Sequence, residues 1–414
     1  MRKQLYFIIF IIILYLFLFD PPFFMFRGVI RFSNILLVLA FIYVIHYGSE
    51  VARFYRIMRK EVYMFSFLFL FVVIRSSLEG DVSFINKTMM AYLNIIMVTP
   101  AILLFAKKLG YGSEEHFLKA LLIAGSIATI ITIVCLLNPS FQDYVRNQII
   151  QVGEKDYIYN NDYRGFGIAS AHTSNYGFTL GFLTGLGCFY LTQNKWFLYC
   201  IPFMIIAGLV NSRTSLIIAA AMIIIFLVRA QKKLYAFFVG CLGFLLFTYF
   251  DSFILIFGLS DRTYEWLMSF QQQMMSVAES GDLTASHAGS EIFGRMIIWP
   301  ETTEQWIIGR GYDIFRAKGE IGNSDNGWIR QLNYGGIIYL LIFYSIFTYM
   351  LRRLKRYKQW SYLFVFLMVF VITNTKTTAF PSTQLFTLMM IVYYFKVKRT
   401  VIAKKVSTPL IAKR

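Results

Sequence analysis

Charged residues are scarce in this chain, and acidic residues are the scarcest. Asp, Glu, Lys and Arg make up 15% of the 414 residues, and Asp and Glu together number only 22. A soluble domain would carry about 25% charged residues. The alternation of apolar and polar residues that marks membrane β-strands is also missing. The composition therefore excludes an ordinary soluble protein and favours an α-helical membrane protein.

Cysteine and nucleotide-binding motifs are rare or missing as well. The four cysteines, Cys135, Cys188, Cys200 and Cys241, all fall inside apolar segments, so we expect neither a disulfide nor a metal cluster. The chain has no phosphate-binding loop, no dinucleotide-binding glycine fingerprint and no clustered aspartates for a metal-bound nucleotide sugar. These absences argue against a cytoplasmic enzyme that uses nucleotide sugars, and no cofactor is expected.

Apolar runs recur from end to end of the chain, at close to the roughly 20 residues that an α-helix needs to cross a bilayer. We predict about twelve spans, at 4–19, 30–48, 62–75, 88–106, 117–137, 166–192, 196–211, 214–228, 234–250, 335–351, 361–374 and 381–396. The first is interpreted as an uncleaved span, because no small-residue cleavage site precedes the sequence DPPFF. This gives an all-α integral membrane fold: helices 1–9 in residues 1–250, helices 10–12 in residues 335–396, and a basic cytoplasmic tail at 397–414.

Basic residues give the chain a formal net charge of +18. They concentrate in alternate turns, among them Arg53 to Lys60, Lys107–Lys108 and Arg352 to Lys358. The positive-inside rule places these turns and both termini in the cytoplasm. The charge therefore reflects topology, and nucleic acid is not an expected partner.

One long polar segment, residues 251–334, then lies on the outer face of the membrane. Its apolar residues Trp266, Leu267, Phe270, Met274 and Val277 recur at helical spacing, so we predict a partly helical loop with an amphipathic helix along the membrane surface. Chemistry is expected on this extracytoplasmic side.

Arg213 stands in the sequence NSRTS, a very short turn between two strongly apolar spans. A guanidinium at membrane depth is costly and should face a polar cavity or a partner. Its fixed fork of donors matches phosphate oxygens, which predicts a phosphate clamp. The alternative is an interfacial arginine whose charged end reaches water.

A second polar group enters a span at residues 163–175. Arg164 begins the sequence RGFG, and His172 follows within SAHTSN. The glycines allow close approach of the backbone, and polar groups at this depth are usually functional or well paired. Arg164 is a candidate phosphate ligand and His172 a candidate catalytic residue, against the alternative of a locally satisfied re-entrant bend.

The polar segment itself carries further candidates. Arg295 is either an anion ligand or a solvated loop residue. Asp325 is the best carboxylate for a general base, since such a base must reach the hydroxyl that it deprotonates. Amides and aromatic rings suit a sugar, and they lie nearby as Asn323, Asn326, Trp328 and Tyr334. The alternative for 323–326 is an Asx turn that caps the next helix.

Taken together, these features resemble the O-antigen polymerase and ligase superfamily of integral membrane glycosyltransferases. The resemblance rests on the twelve-span plan, RGFG at Arg164, NSRTS at Arg213, the large loop before the tenth span, and SDNGW at 324–328 followed by YGG. It implies a glycosyltransferase-C-like fold in the bacterial inner membrane and an active site at the periplasmic face. The donor would be a glycan on undecaprenyl diphosphate, transferred with inversion and without a metal.

On that resemblance Arg164, Arg213 and Arg295 would hold the diphosphate. Asp325 is the first candidate for the base and His172 the second. Ligases of this family typically carry a histidine in the loop-end motif, whereas this chain has Asn323 to Asn326 with none, which favours a polymerase. Expected partners are the lipid-linked glycan, membrane lipid and a separate protein that regulates chain length. A ligase that transfers polymer to lipid A core and a flippase for the lipid-linked unit are the alternatives.

Overall fold

A computed structural model of the chain describes residues 2–21, 23, 31–79, 82–149, 167–169, 173–190, 197, 199–229, 261–316, 324–382 and 384–407. Its helices are α1 (Arg2–Phe19), α2 (Phe32–His46), α3 (Gly48–Ile57), α4 (Arg59–Glu79), α5 (Val82–Leu93), α6 (Thr99–Lys108), α7 (Glu114–Leu137), α8 (Pro139–Tyr144), α9 (Thr173–Tyr190), α10 (Ile201–Asn211), α11 (Arg213–Arg229), α12 (Asp261–Ser280), α13 (His287–Ser290), α14 (Thr303–Ile308), α15 (Gly327–Arg356), α16 (Trp360–Lys376), α17 (Ala379–Ser382) and α18 (Gln384–Ser407). Short π- and 3₁₀-helical turns lie between them at Asn94–Val98, Val145–Ile149, Leu283–Ala285, Glu291–Arg295 and Ile314–Arg316. The described part of the chain is all helical, as predicted.

Four helical stretches within the described ranges are long and apolar enough to cross a membrane: Arg59–Glu79, Phe84–Lys108, Glu114–Leu137 and Gly327–Arg356. Counting the pair α2 and α3, bent by 102°, as one span raises that number to five. Helices at Gln4–Phe19, Ile201–Asn211 and Trp360–Lys376 are apolar but shorter. The prediction of about twelve spans therefore exceeds what helix length and composition establish, and the predicted ninth span, 234–250, lies outside the described residues.

Helix α15 ties the polar segment to the bundle. It begins at Gly327, inside the segment predicted as loop, and breaks at Gly336 with φ 62° and ψ −163°. That break lies where the tenth span was predicted to begin. At one end of the helix the hydroxyl of Tyr334 meets that of Ser76 on α4 at 2.5 Å. At the other end Arg353 donates to the carboxylate of Glu61, also on α4, at 2.5 Å. Helices α4 and α15 are thus fixed to each other at both ends.

Gly336 is the position where this arrangement depends on glycine. Its φ and ψ fall in a region that is essentially restricted to glycine, and a Cβ there would lie 2.3 Å from the carbonyl oxygen of Ile307. Backbone cannot move aside as a flexible side chain can. The kink therefore brings α14 directly against α15.

We expect Gly336→Ala to destabilise the folded chain strongly, because backbone strain of about 1–3 kcal/mol adds to the clash with α14. The measurement is the thermal midpoint of the detergent-purified protein. Gly110→Ala is the matched control, since Gly110 also has positive φ, at 87°, but a Cβ added there would have nothing within 4 Å. Equal losses in the two variants would show that contact with α14 contributes nothing.

The predicted amphipathic helix is α12. Its apolar residues Leu267 and Phe270 are buried and form a cluster with Leu209 and Val210 of α10. Met274, on the same predicted face, remains 44% exposed. Helix α12 therefore packs against α10 through the first half of its apolar face, and this contact fixes the position of α12 on the bundle.

Three of the four cysteines can be placed. Cys135 and Cys188 are buried, and Cys200 is partly exposed. Cys241 lies outside the described residues. The burial of Cys135 and Cys188 agrees with their predicted position inside apolar helices.

Candidate functional site

A cleft of about 850 Å³, the main cleft, lies where α1, α2, α5, α9 to α12 and α15 to α18 meet. Its charged lining residues are Asp20, Arg31, Lys87, Arg213, Asp325, Arg330 and Lys376. Five cations face two carboxylates, so the lining carries a net positive charge. Side-chain amides, including Asn175 and Asn211, and apolar residues of α12 complete the wall. Such a lining suits an anionic ligand that also has hydroxyl groups and an apolar part.

Helix α9 determines where Arg213 lies. Gly177, Gly181 and Gly185 recur every fourth residue and face α11 and the turn before it. A Cβ on Gly177 would lie 2.4 Å from the side chain of Ser212, and one on Gly181 would lie 2.5 Å from the carbonyl oxygen of Ser215. Small residues at this spacing let two helices approach closely. The turn that carries Arg213 is thereby seated against α9 at the main cleft.

The guanidinium of Arg213 is oriented by α12. It donates to Oε1 of Gln273 at 3.1 Å, to the carbonyl oxygen of Trp266 at 2.5 Å and to Oγ of Ser269 at 2.5 Å. Its carbon Cζ lies 4.7 Å from the centre of the Trp266 ring. The predicted polar environment of Arg213 is therefore present. Residues of α12 supply part of this polar environment, and the guanidinium thereby joins α11 to α12.

A second cationic group stands elsewhere on the wall of the cleft. Arg330 makes a two-point contact with Asp313, Nε to Oδ1 at 3.0 Å and an Nη to Oδ2 at 2.7 Å, and Lys87 reaches the same carboxylate at 2.8 Å. Burial raises the pKa of Asp313, but Arg330 and Lys87 outweigh it and lower that pKa to about 2. Asp313 is thus a permanent anion that positions two cations, with one positive charge left over.

Asp325 lies on the same cleft beside Lys376. Its Oδ2 is 3.4 Å from the ammonium nitrogen, and its side chain is 30% exposed. Its neighbours have structural roles: Ser324 is fully buried and donates to the carbonyl oxygen of Met296 at 2.7 Å. The backbone around Asp325 is therefore held rigidly while its carboxylate faces the cleft.

The side chain of Asn326 forms the Asx cap that was the structural alternative for this segment. Its Oδ1 accepts from the backbone N–H groups of Trp328 and Ile329, at 3.0 and 3.3 Å. Two otherwise unpaired donors at the first turn of α15 are satisfied in this way. Asn326 is buried, so its amide serves the fold in this structure.

The two aromatic candidates lie away from the main cleft. The Trp328 ring is half-buried and stacks on Tyr344 at 5.5 Å. Tyr334 is fully buried, with its ring stacked on Phe84 at 3.7 Å and its hydroxyl donating to the carbonyl oxygen of Val72 at 3.1 Å. The structure does not bring the Tyr334 ring to a position where a sugar could stack on it.

Arg295 is not part of the main cleft either. Its side chain is 78% exposed and pairs with Glu291 one helical turn earlier. The remaining predicted site residues, Arg164, His172 and Asn323, lie outside the described residues. Of the described candidates, the structure brings only Arg213 and Asp325 together on one surface.

Four cations of the cleft were not selected from the sequence. They are Arg31, Lys87, Arg330 and Lys376. A usable signal existed for Lys87 and Lys376, because both occupy turns predicted to be outside, where positive charge is otherwise sparse. A cation that breaks the topological pattern is a candidate ligand for an anion.

Asp20 and Ser33 form another polar contact at the wall of the main cleft. The carboxylate of Asp20 accepts from the backbone N–H of Ser33 at 2.9 Å and from its hydroxyl at 3.0 Å. Burial raises the pKa of Asp20, while these hydrogen bonds and the nearby charge of Arg31 oppose that rise. This contact holds the end of α1 to the start of α2.

Comparison of the chain with protein-family models, curated proteins and solved structures gave no match.

Proposed function

We propose that this chain is an integral membrane glycosyltransferase that joins undecaprenyl-diphosphate-linked oligosaccharide units into a surface polysaccharide such as O-antigen. The observation that carries the proposal is the main cleft, where Arg213 and a solvent-accessible carboxylate, Asp325, share one net-positive lining. The resemblance of the RGFG, NSRTS and SDNGW segments to O-antigen polymerases supplies the substrate class.

The charge of the cleft suits a diphosphate. A diphosphate leaving group accumulates negative charge as its bond to the sugar breaks, and preorganised cations stabilise that charge. Arg213 offers a planar fork for the phosphate oxygens, and Lys87 and Lys376 act as point charges. Arg330 and Lys87 share the carboxylate of Asp313, so the three residues together leave one positive charge for the diphosphate. Arg164 belongs to the proposed diphosphate ligands through the resemblance alone, whereas Arg295 lies outside the main cleft.

The proposed reaction is a single displacement. A hydroxyl of the acceptor unit attacks the anomeric carbon of the donor glycan from the face opposite the diphosphate. The new carbon–oxygen bond forms as the bond to the diphosphate oxygen breaks, and the electron pair leaves with the diphosphate. The hydroxyl proton passes to the Asp325 carboxylate, and the configuration at the anomeric carbon inverts. His172 is the alternative base.

The proposed membrane arrangement has about twelve spans, cytoplasmic termini and the cleft at the periplasmic face of the inner membrane. Charge distribution supports it. The main cleft lies toward the Ser76 end of α4, whereas the basic residues of the predicted cytoplasmic turns gather at the Arg59 end. An acceptor and a lipid-linked donor would then meet outside the cytoplasm, and a separate protein would regulate chain length.

Two other functions use a similar substrate. A ligase would transfer finished polymer to lipid A core, but the histidine typical of its loop-end motif is replaced here by Asn323 to Asn326. A flippase would be expected to have two related halves and short loops. The packing of α12 onto α10 and Arg213 favours the enzyme, because it makes part of the long polar segment a wall of the main cleft.

Deletion of the gene tests the three functions together. We expect a gel of surface polysaccharide to show a single band of core plus one unit in place of the ladder, with restoration by the wild-type gene. Loss of all core-attached polymer while long chains accumulate on the lipid carrier would indicate a ligase. Lipid-linked units trapped on the cytoplasmic side would contradict the enzyme and indicate a flippase.

A further inference from the structure

A second concavity lies at the opposite end of α4 and α15 from the main cleft. It has a volume of about 540 Å³. Six cations line this basic pocket: Arg56, Arg59, Lys60, Arg352, Arg353 and Arg356. Ile57, Tyr349 and Tyr357 complete the lining, and it includes no carboxylate from the described part of the chain. The pocket therefore gathers positive charge without an acid of its own on its surface.

One of these cations is fixed by the fold. Arg353 donates to the carboxylate of Glu61 at 2.5 Å and to the carbonyl oxygen of Ile57 at 2.8 Å. Glu61 is fully buried and also accepts from the hydroxyl of Tyr393 at 2.6 Å. This arrangement pins the end of α15 to the break between α3 and α4, and it makes the floor of the pocket rigid.

The other five cations have no such compensation. Within the described ranges, none of them forms an ion pair, and all five side chains are exposed. Like charges that converge on one concavity repel each other, although the negative pole at the C-terminus of α15 offsets part of this repulsion. An anion in the pocket would remove the remainder.

Membrane topology alone does not explain the pocket. Positive charge on this side of the bundle is expected from the positive-inside rule, but that rule asks only for cations near span ends. Lys107 and Lys108 satisfy it differently, since both pair with Glu50, at 3.3 and 3.0 Å. Convergence on a shared hollow with no acid in its lining distinguishes the α3–α4 and α15 ends from the turn at Lys107 and Lys108.

We propose that the basic pocket is an anion-binding site for a phosphate group, distinct from the main cleft. Glu61 lies at the end of α4 beside the basic pocket, and Ser76 lies at the end toward the main cleft. The two residues are about 22 Å apart along the axis of α4, so one phosphate cannot occupy both sites. Guanidinium groups match phosphate oxygens in geometry. The phosphate is that of an anionic lipid headgroup or of a free phosphate ion, and the proposal does not depend on the proposed enzymatic function.

The test measures binding to the full-length, detergent-purified chain. Retention of phosphatidylglycerol, and of phosphatidylcholine for comparison, is followed by native mass spectrometry, and inorganic phosphate is added in a separate series that monitors the thermal midpoint. The variant R56Q/R352Q/R356Q removes three exposed cations and leaves the Arg353–Glu61 pair intact. The control variant K107Q/K108Q removes two cations from the same side outside the pocket.

We expect the triple variant to lose about 10- to 100-fold in affinity for phosphatidylglycerol, because each basic residue near an anionic headgroup contributes several-fold. The control variant should bind as the wild type does. Protection by inorganic phosphate alone would identify free phosphate as the ligand. The proposal is overturned if neither probe binds, if the control loses as much as the triple variant, or if phosphatidylcholine binds equally well. R352Q alone is the substitute if the triple variant does not fold.

Discussion

Arg213→Ala is expected to abolish extension of lipid-linked units, with a loss of about 10²–10³-fold in rate, the range seen when one preorganised group that stabilises transition-state charge is removed. The guanidinium lies on the wall of the main cleft and is held there by Gln273, Trp266 and Ser269 of α12. The measurement is chain extension by purified protein with lipid-linked repeat units. Full-length polymer from the alanine variant would contradict the clamp.

A structural role of Arg213 must be separated from a catalytic one, since the same side chain joins α11 to α12. Q273A removes one of its contacts from the α12 side and leaves the charge in place. If Arg213 only holds α12, Q273A and R213A will lower the thermal midpoint together, and activity will fall in parallel. If the charge acts on substrate, R213A alone loses activity far beyond its effect on stability.

Two further variants complete the comparison. Arg229 lies at the other end of α11 and is exposed, so R229A serves as the matched control and should retain full activity. Arg213→Lys keeps the charge but replaces a planar fork with a point charge. We expect only partial activity from it. Wild-type activity in the lysine variant would mean that charge suffices and that two-point contact is not needed.

Parts of this fold could be predicted from local sequence. Helical spacing of Trp266, Leu267 and Phe270 predicted a helix in the polar segment, and the structure has it as α12, Asp261–Ser280. A charged residue between two apolar runs marked Arg213, because a buried guanidinium requires a polar environment. Both signals are local in sequence, so neither depends on which helices become neighbours.

The remainder depended on contacts between distant segments. Lys87 and Asp313 are 226 positions apart, and nothing near either residue indicates that one will neutralise the other. The burial of Tyr334 likewise follows from Ser76, Val72 and Phe84, on helices far away in the chain. An aromatic residue beside a polar motif looks the same in sequence whether it stacks on a sugar or on a phenylalanine.

The length of the spans was the other point that sequence could not decide. A hydropathy pattern adds apolar residues across helix breaks, whereas a helix that ends after 11 residues, as α10 does, cannot cross a bilayer by itself. The turn at Ser212 separates α10 from α11 and puts Arg213 at a helix start. That turn was predicted between the spans 196–211 and 214–228, and α10 falls short of a full span because it begins at Ile201.

Asp325→Asn is expected to lower the rate of extension by about 10²–10⁴-fold, the contribution typical of a general base, while lipid-linked substrate still binds. The substitution keeps the shape of the side chain but removes its ability to accept a proton. Because the side chains of Ser324 and Asn326 hold the segment through their own hydrogen bonds, the fold should tolerate the substitution. The measurements are the single-turnover rate and substrate binding to the same preparation.

Two other aspartates provide controls. D282N changes an exposed carboxylate that caps a turn through Thr284 and does not line the main cleft, so it should leave the rate unchanged. D313N is expected to behave differently from both, because it leaves Arg330 and Lys87 without their shared partner. Its loss should appear in thermal stability as well as in rate, whereas that of D325N should appear in rate alone.

Lys376 decides whether Asp325 acts as a base or only as half of an ion pair. If the carboxylate merely holds Lys376, K376Q will lose as much activity as D325N, and the double variant will be no worse than either, since partners in one interaction are not additive. If Asp325 accepts the proton, D325N will be much the more damaging change. Wild-type rates from D325N would instead transfer the role to His172, and H172Q would then be the variant that loses the reaction.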